Sequence, residues 1–139
     1  MGFDGNLYVP EYKVSGGALF NTIRKVTPAG VVTTVAKDFK GGKSDTLDMS
    51  SGFSLATDAT GEIYVSDAQR GIIKVNQFGQ ASYFAGYNGI AYINGSITNA
   101  AFWTPRGMAF DSSGNLYMAD NGVIRRISNG VISTFAGSD

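Results

Sequence analysis

Short apolar runs separated by glycine-containing turns recur along the whole chain. Most runs are nearly continuous in apolar residues instead of strictly alternating, the pattern of strands covered on both faces. They predict strands over 6–11, 22–27 and 31–36, then 52–58, 62–67, 71–76 and 81–85, then 106–111, 115–120, 123–128 and 131–136. No helical periodicity competes with this reading, and the abundance of Val, Ile, Thr, Tyr and Phe fits a pleated, packed surface. The expected fold class is all-β.

The runs form a three-fold repeat. FDGNLYVPE (3–11), TDATGEIYVSD (57–67) and FDSSGNLYMAD (110–120) are copies of one motif. Each is followed by a second, TIRKVT (22–27), GIIKVN (71–76) and VIRRIS (123–128), and by a third, GVVTTVA (30–36), GQASYFAG (79–86) and GVISTFAG (130–137). The shared tyrosines Tyr8, Tyr64 and Tyr117 lie 56 and 53 residues apart, room for four strands per unit. Two copies open with an apolar strand, GFSLATD (52–58) and RGMAFD (106–111), completing an order a, b, c, d. Four-stranded units at this period predict a β-propeller, with blades over 1–36, 52–86 and 105–137. The first blade starts inside its innermost strand, because Met1 to Asp4 align on Met108 to Asp111.

These motifs resemble the NHL-repeat family, whose pattern runs as an apolar GhAhD strand, then GxhYVxD, hRKh and GxhxThAG. The stretch AGYNGIAYINGSITNAAFWTPRGMAFD (85–111) also resembles the inter-blade segment of NHL-repeat proteins of bacterial surfaces, with Asn94-Gly95 where Asp-Gly is usual. Segment 37–51 keeps almost none of that pattern. The resemblance implies a propeller and an extracytoplasmic or cell-surface location. It leaves function open, since such folds host binding modules and a few lyases. Three blades fall short of the roughly four to eight that close a ring. The chain is therefore expected to belong to a longer propeller or to complete one by self-association, two copies making six blades.

Charge narrows the partners. Lys plus Arg and Asp plus Glu each number 11 and are interspersed, so no basic field favours nucleic acid. With no cysteine and no histidine, disulfides, thiolate sites and the commonest transition-metal ligand are missing. The N-terminus shows no basic segment followed by an apolar run, and no apolar stretch is long enough for a membrane helix.

Candidate chemistry competes with structural roles. Glu11, Asp67 and Asp120 recur at the end of strand b. They are either a ring of oxygen ligands for a hard cation or carboxylates bonded to their own turns, and recurrence in every blade favours the second. Arg24, Lys25, Lys74, Arg125 and Arg126 mark strand c, and overall neutrality favours rim residues with their heads in water over an RNA-binding face. A metal-dependent lactonase or lyase would need carboxylate, Asn or His groups converging from most blades, and no phosphate loop or GxSxG turn is present. A non-catalytic binding or scaffolding module without cofactor or metal is expected, with a propeller-enzyme fragment as the alternative.

Strand parity predicts where binding occurs. In an up-and-down blade the a–b and c–d turns share one face of the disc, and the b–c and d–a connections share the other. The second set holds the long segments, expected as irregular loops over 10–21, 37–51 and 87–104. Recognition concentrates on long loops carried by a rigid scaffold. Tyr12, Arg70, Tyr87, Tyr92, Trp103 and Asn121 are the expected contacts to a protein or carbohydrate partner. Trp103 and Tyr92 would be aromatic anchors, Arg70 a polar rim group, and Phe102 a core residue.

Overall fold

A computed structural model of the chain describes residues 1–15, 18–37, 54–67, 71–86 and 90–138, the side chains of 12–15 and 18–20 excepted. Among these residues no helix forms, and the strands assemble into three antiparallel sheets. The first sheet has the order β1 (Leu7–Ser15), β2 (Ala18–Val26), β3 (Val32–Lys37). The second runs β4 (Leu55–Thr57), β5 (Ile63–Asp67), β6 (Gly71–Val75), β7 (Ala81–Ala85). The third comprises β8 (Gly95–Ser96), β9 (Pro105–Phe110), β10 (Leu116–Asp120), β11 (Val123–Ser128) and β12 (Val131–Ala136), in the spatial order β8-β12-β11-β10-β9. Hairpin pairing of consecutive strands within β1–β3, β4–β7 and β9–β12, and stacking of sheet on sheet, make the chain a partial β-propeller.

The middle sheet explains the continuous apolar runs. All five residues of β5 are buried, because one face packs on the first sheet and the other on the third. Ile63, Val65, Ile73 and Val75 meet Ile23 and Ala36 of the first sheet. Tyr64, Ile72 and Ala85 cluster with Met108, Leu116, Met118 and Ile132 of the third. Each such aliphatic side chain contributes about 1.5–3 kcal/mol on burial, so the two interfaces are the core. The inner strands β4 and β9 border a cleft of about 410 Å³, lined by Leu55, Ala56, Met108 and Phe110 among others.

Several strands fall where the apolar pattern places them, β7, β11 and β12 with the same bounds. Two features differ. Within 10–21, expected as an irregular loop, residues 10–15 and 18–21 continue the β1–β2 ladder, Tyr12 pairing with Asn21 and Ser15 with Ala18. Pro10 lies within it, opposite Ile23. It is tolerated because β1 is the edge of its sheet, where a missing N–H breaks no ladder bond. The third sheet has five strands instead of four, since Ser96 and Gly95 pair with Val131 and Ile132. The first residues of the expected strand 52–58 lie outside the described residues.

Each described a–b turn is fixed by the aspartate at its start. Asp58 Oδ1 accepts from Thr60 N (2.9 Å), Thr60 Oγ1 (2.7 Å) and Glu62 N (3.0 Å). Asp111 Oδ1 accepts from Ser113 N (2.9 Å) and Asn115 N (2.8 Å). Asp4 does the same with Asn6 N (3.1 Å) and also receives the Tyr8 hydroxyl (2.8 Å). These are Asx turns.

Candidate functional site

The a–b and c–d turns lie at one end of the up-and-down sheets, and the β1–β2 and β10–β11 connections lie at the other. The hairpin reaches about 13 Å past Glu11 at roughly 3.3 Å per residue. The segment before β9 folds back on the third sheet. Ala91 N donates to Phe102 O (3.1 Å), and Ile93 and Ala101 exchange backbone bonds at 3.3 and 3.1 Å. Ile97 N donates to Gly130 O (3.0 Å) beside β8.

Two devices press this segment down. Phe102 is buried over Gly86, where a Cβ would stand 2.1 Å from Phe102 Cδ2 and where φ is +89°. Only glycine has both the room and the conformation for that approach. Arg125 supplies the second device from β11. Its guanidinium, wholly out of water, donates from Nη1 to Asp120 Oδ2 (3.1 Å) and Ala101 O (3.2 Å), and from Nη2 to Ile93 O (3.1 Å) and Asn94 Oδ1 (2.9 Å). It also lies 5.5 Å from the Phe102 ring centroid. Asp120 Oδ1 accepts the N–H groups of Trp103 (2.8 Å) and Thr104 (2.7 Å). A planar donor fork and a two-oxygen acceptor thus clamp both strands of the segment at once.

Above this clamp stands an aromatic pair. The Tyr92 and Trp103 rings stack with centroids 5.5 Å apart and an interplanar angle of 23°, and Trp103 stays 43% exposed. Asn121 borders them in a two-residue turn with Gly122, both at positive φ (46° and 97°), a hairpin geometry Asn-Gly readily adopts. The Tyr92 hydroxyl donates to Asn121 O (2.7 Å) and accepts from Asn121 Nδ2 (3.0 Å). Three of the expected contact residues, Tyr92, Trp103 and Asn121, are thereby brought together. Tyr12 lies in β1 on the hairpin, on a strand and not on a loop. Arg70 and Tyr87 lie outside the described residues.

The repeated ionic residues divide by surroundings. Arg125, expected at the rim with its head in water, is buried at the heart of the clamp. The position it occupies is Arg24 in the first blade and the buried Ile73 in the second. An aliphatic residue in one copy was the available signal that the position faces a core. Arg24 pairs with Glu11 at 3.0 Å in the open. Asp120 bonds the inter-blade segment instead of its own turn, and the turn-fixing carboxylates are Asp4, Asp58 and Asp111. Asp67 is buried. Among the described residues no three His, Asp or Glu side chains group to hold a metal ion, and no helix is long and apolar enough to cross a membrane.

On the short-turn face the same aspartates set the electrostatics. Partial burial pushes the Asp58 carboxyl up, but hydrogen bonds from Thr60, Glu62 N and Tyr64 outweigh it and hold its pKa below the ordinary value. Bonds from Asn115 and Ser113 N lower Asp111. Asp4 lies well below the usual carboxylate range, since bonds from Asn6, Tyr8 and Lys25 exceed its desolvation. Lys74 loses some hydration, yet its ion pair with Glu62 at 3.2 Å raises its pKa.

No protein-family profile matches the chain. Along 99% of its length it is similar to Teneurin-3 of Mus musculus (30% identity over 160 residues) and Teneurin-4 of Homo sapiens (31% over 160 residues). It spans only 6% and 5% of the length of those relatives. Among solved structures, a protein of unknown function from Bacteroides thetaiotaomicron VPI-5482 superposes with a TM-score of 0.57 at 18% identity, over 96% of this chain and 45% of that one. The fold is shared.

Proposed function

We propose that the chain is a non-catalytic recognition module of an NHL-type propeller, which binds a protein or carbohydrate partner on its long-segment face. The observation that carries this reading is the solvent-facing Tyr92–Trp103 stack, seated on the buried Arg125–Asp120 clamp. Flat aromatic faces bind sugar C–H faces and anchor protein side chains. A platform whose backbone is fixed beforehand loses little entropy on binding. Asn121, exposed beside the rings, is a polar group that can orient a ligand. Similarity along nearly the whole chain to short stretches of two teneurins supports reading the blades as one module of a larger architecture. The resemblance to NHL-repeat proteins of bacterial surfaces supports an extracytoplasmic setting.

Trp103 is the sole tryptophan, so its fluorescence reports the platform directly. Titration with a panel of soluble oligosaccharides and with surface-protein extracts should give saturable emission changes. Trp103→Ala should abolish retention of the same ligand on the immobilised chain while leaving the far-ultraviolet circular dichroism unchanged. Retention at wild-type strength by the folded Trp103→Ala and Tyr92→Ala variants would remove the platform from this role.

A further inference from the structure

The turn aspartates Asp4, Asp58 and Asp111 are equivalent by repeat but differ in what satisfies them. Asp4 Oδ2 accepts from Asn6 Nδ2 (2.6 Å) and from the Tyr8 hydroxyl (2.8 Å). The Lys25 ammonium stands 3.2 Å from the same oxygen and 5.8 Å from the Tyr8 ring centroid. In the third blade Asn115 Nδ2 donates to Asp111 Oδ2 at 2.7 Å. The second blade has Glu62 at the place of Asn6 and Asn115, and an ionised carboxylate has no hydrogen to donate. Glu62 also draws the equivalent lysine, Lys74, to itself at 3.2 Å. Among the described residues Asp58 Oδ2 is left with the Tyr64 hydroxyl, at 3.2 Å. It lacks the ammonium that its first-blade counterpart holds.

Asp58 and Tyr64 line a cleft of about 310 Å³ between the second and third sheets, together with Thr60, Phe84, Phe110 and Asn129. The Phe84 and Phe110 rings flank Tyr64 with centroids 4.9 and 5.0 Å away, and both are half-buried. Asn129, exposed in the β11–β12 turn, carries a side-chain carbonyl that can accept an N–H. The corresponding cleft between the first and second sheets, of about 250 Å³, is lined by Asp4, Tyr8 and Lys25 itself. There Val35 and Thr57 hold the repeat positions of Phe84 and Phe110, so both rings are missing where the chain supplies its own ammonium.

We propose that the cleft between the second and third sheets binds a primary ammonium group on an unbranched hydrocarbon stem, the nitrogen donating to Asp58 Oδ2 and the stem lying along Phe84 and Phe110. The charge-assisted bond selects an N–H cation over a neutral group. Aromatic rings favour a cation and its adjoining methylenes over water, and a mostly apolar cleft with a few fixed polar atoms is the ordinary form of a small-ligand site. Lys25 on Asp4 and Tyr8 is the same contact made within the chain. Both walls of the cleft come from described sheets. The cleft lies at the end of the sheets that carries the a–b and c–d turns, opposite the Tyr92–Trp103 pair, so this site stands apart from the platform and from its partner.

Titration of the isotope-labelled chain with butylammonium chloride, followed by amide NMR, tests it. The Thr60 and Glu62 amides, which donate to Asp58 Oδ1, and that of Gly130 should shift saturably, with a dissociation constant on the order of 1 mM. Trp103 and Asn121 signals should stay in place. Butanol, of equal length without charge, and tetramethylammonium, charged without an N–H, should each bind at least about tenfold more weakly. Asp58→Asn should lose a similar factor, and Phe84→Leu, which keeps an apolar side chain and removes the ring, should weaken binding too. Blocked lysine, acetylated at Nα and carrying a C-terminal methylamide, presents the same stem from a backbone. Binding as tight as that of butylammonium identifies a protein's lysine side chain as the source, and its exclusion identifies a free amine. The butanol comparison uses the unaltered chain and decides the matter even where Asp58→Asn does not fold. No shift at about 10 mM butylammonium, equal binding of butanol or tetramethylammonium, or undiminished binding by folded Asp58→Asn overturns the proposal.

Discussion

Arg125 and Asp120 form an ion pair of 3.1 Å with neither side chain in contact with water, while the repeat-equivalent Arg24 and Glu11 form one of 3.0 Å in the open. The difference is the inter-blade segment. Backbone carbonyls and amides of residues 93, 101, 103 and 104 complete the coordination of the buried pair, and its charges are balanced by hydrogen bonds that water would otherwise make.

Removing one partner of the buried pair should therefore be costly. Arg125→Met leaves the Asp120 carboxylate uncompensated and should destabilise the fold by about 3–5 kcal/mol. Arg24→Met should cost no more than about 1 kcal/mol. Urea denaturation followed by circular dichroism compares the two, and equal losses would show that the clamp does not carry the third blade. Arg125→Lys tests the geometry separately, because an ammonium cannot serve two strands as a fork does.

Gly86→Ala and Gly114→Ala separate steric contact from backbone strain. Both positions have positive φ, but a Cβ at Gly114 meets nothing within 4 Å, whereas at Gly86 it enters the Phe102 ring. Left-handed strain alone costs about 1–2 kcal/mol, which sets the expected loss for Gly114→Ala. Gly86→Ala should exceed it by a further 1–3 kcal/mol or so from overpacking. Chemical denaturation of both variants reads the difference directly. Trp103 emission should shift in Gly86→Ala alone, since Phe102 adjoins Trp103 in the chain.

Much of this architecture was legible because the repeat averages over three copies: the positions of Tyr8, Tyr64 and Tyr117 alone phase the b strands of all three sheets. What escaped depends on contacts that no single repeat encodes. The β1–β2 hairpin was hidden by Pro10 and by Ser15-Gly16-Gly17, which read locally as loop punctuation, although Pro10 sits comfortably on an edge strand. β8 is two residues in a polar, glycine-bearing stretch, and only the free edge of β12 makes it a strand. Tyr92 and Trp103 stood out as aromatics of a long inter-blade segment, and Asn121 through the strand parity that puts its turn with the long connections. Arg125 did not, because its neighbours in sequence are the repeat itself.

Acid should weaken the fold through the turn aspartates. The pKa of Asp58, Asp111 and Asp4 is lower in the folded chain than in a flexible one, so the folded state binds fewer protons and stability rises with pH across their titration. The contribution is fully present above the unfolded carboxylate value of roughly 4 and is lost as pH falls through the lower folded values. Urea midpoints should be flat from about pH 7 to 5 and fall steeply below about 4. Asp58→Asn should reduce the steepness, since an amide keeps acceptor capacity at its oxygen and does not titrate. An unchanged slope in Asp58→Asn and Asp111→Asn would place the acid sensitivity elsewhere.

Chelation distinguishes a recognition module from a fragment of a metal-dependent enzyme. The carboxylates that could have formed a cation ring are drawn into other work: Glu11 lies against Arg24, and Asp120 spends one oxygen on Arg125 and the other on two backbone amides. Recruiting Asp120 to a cation would strip those amides and detach the segment that carries Trp103. The melting temperature should therefore be the same with excess EDTA, with added calcium and with neither. A bound cation at 100 times its dissociation constant would stabilise the folded state by about 2.7 kcal/mol, a shift of several degrees for a chain of this size. A calcium-dependent rise that EDTA reverses, and that Asp120→Asn abolishes without lowering the metal-free melting temperature, would turn the assignment toward the enzyme.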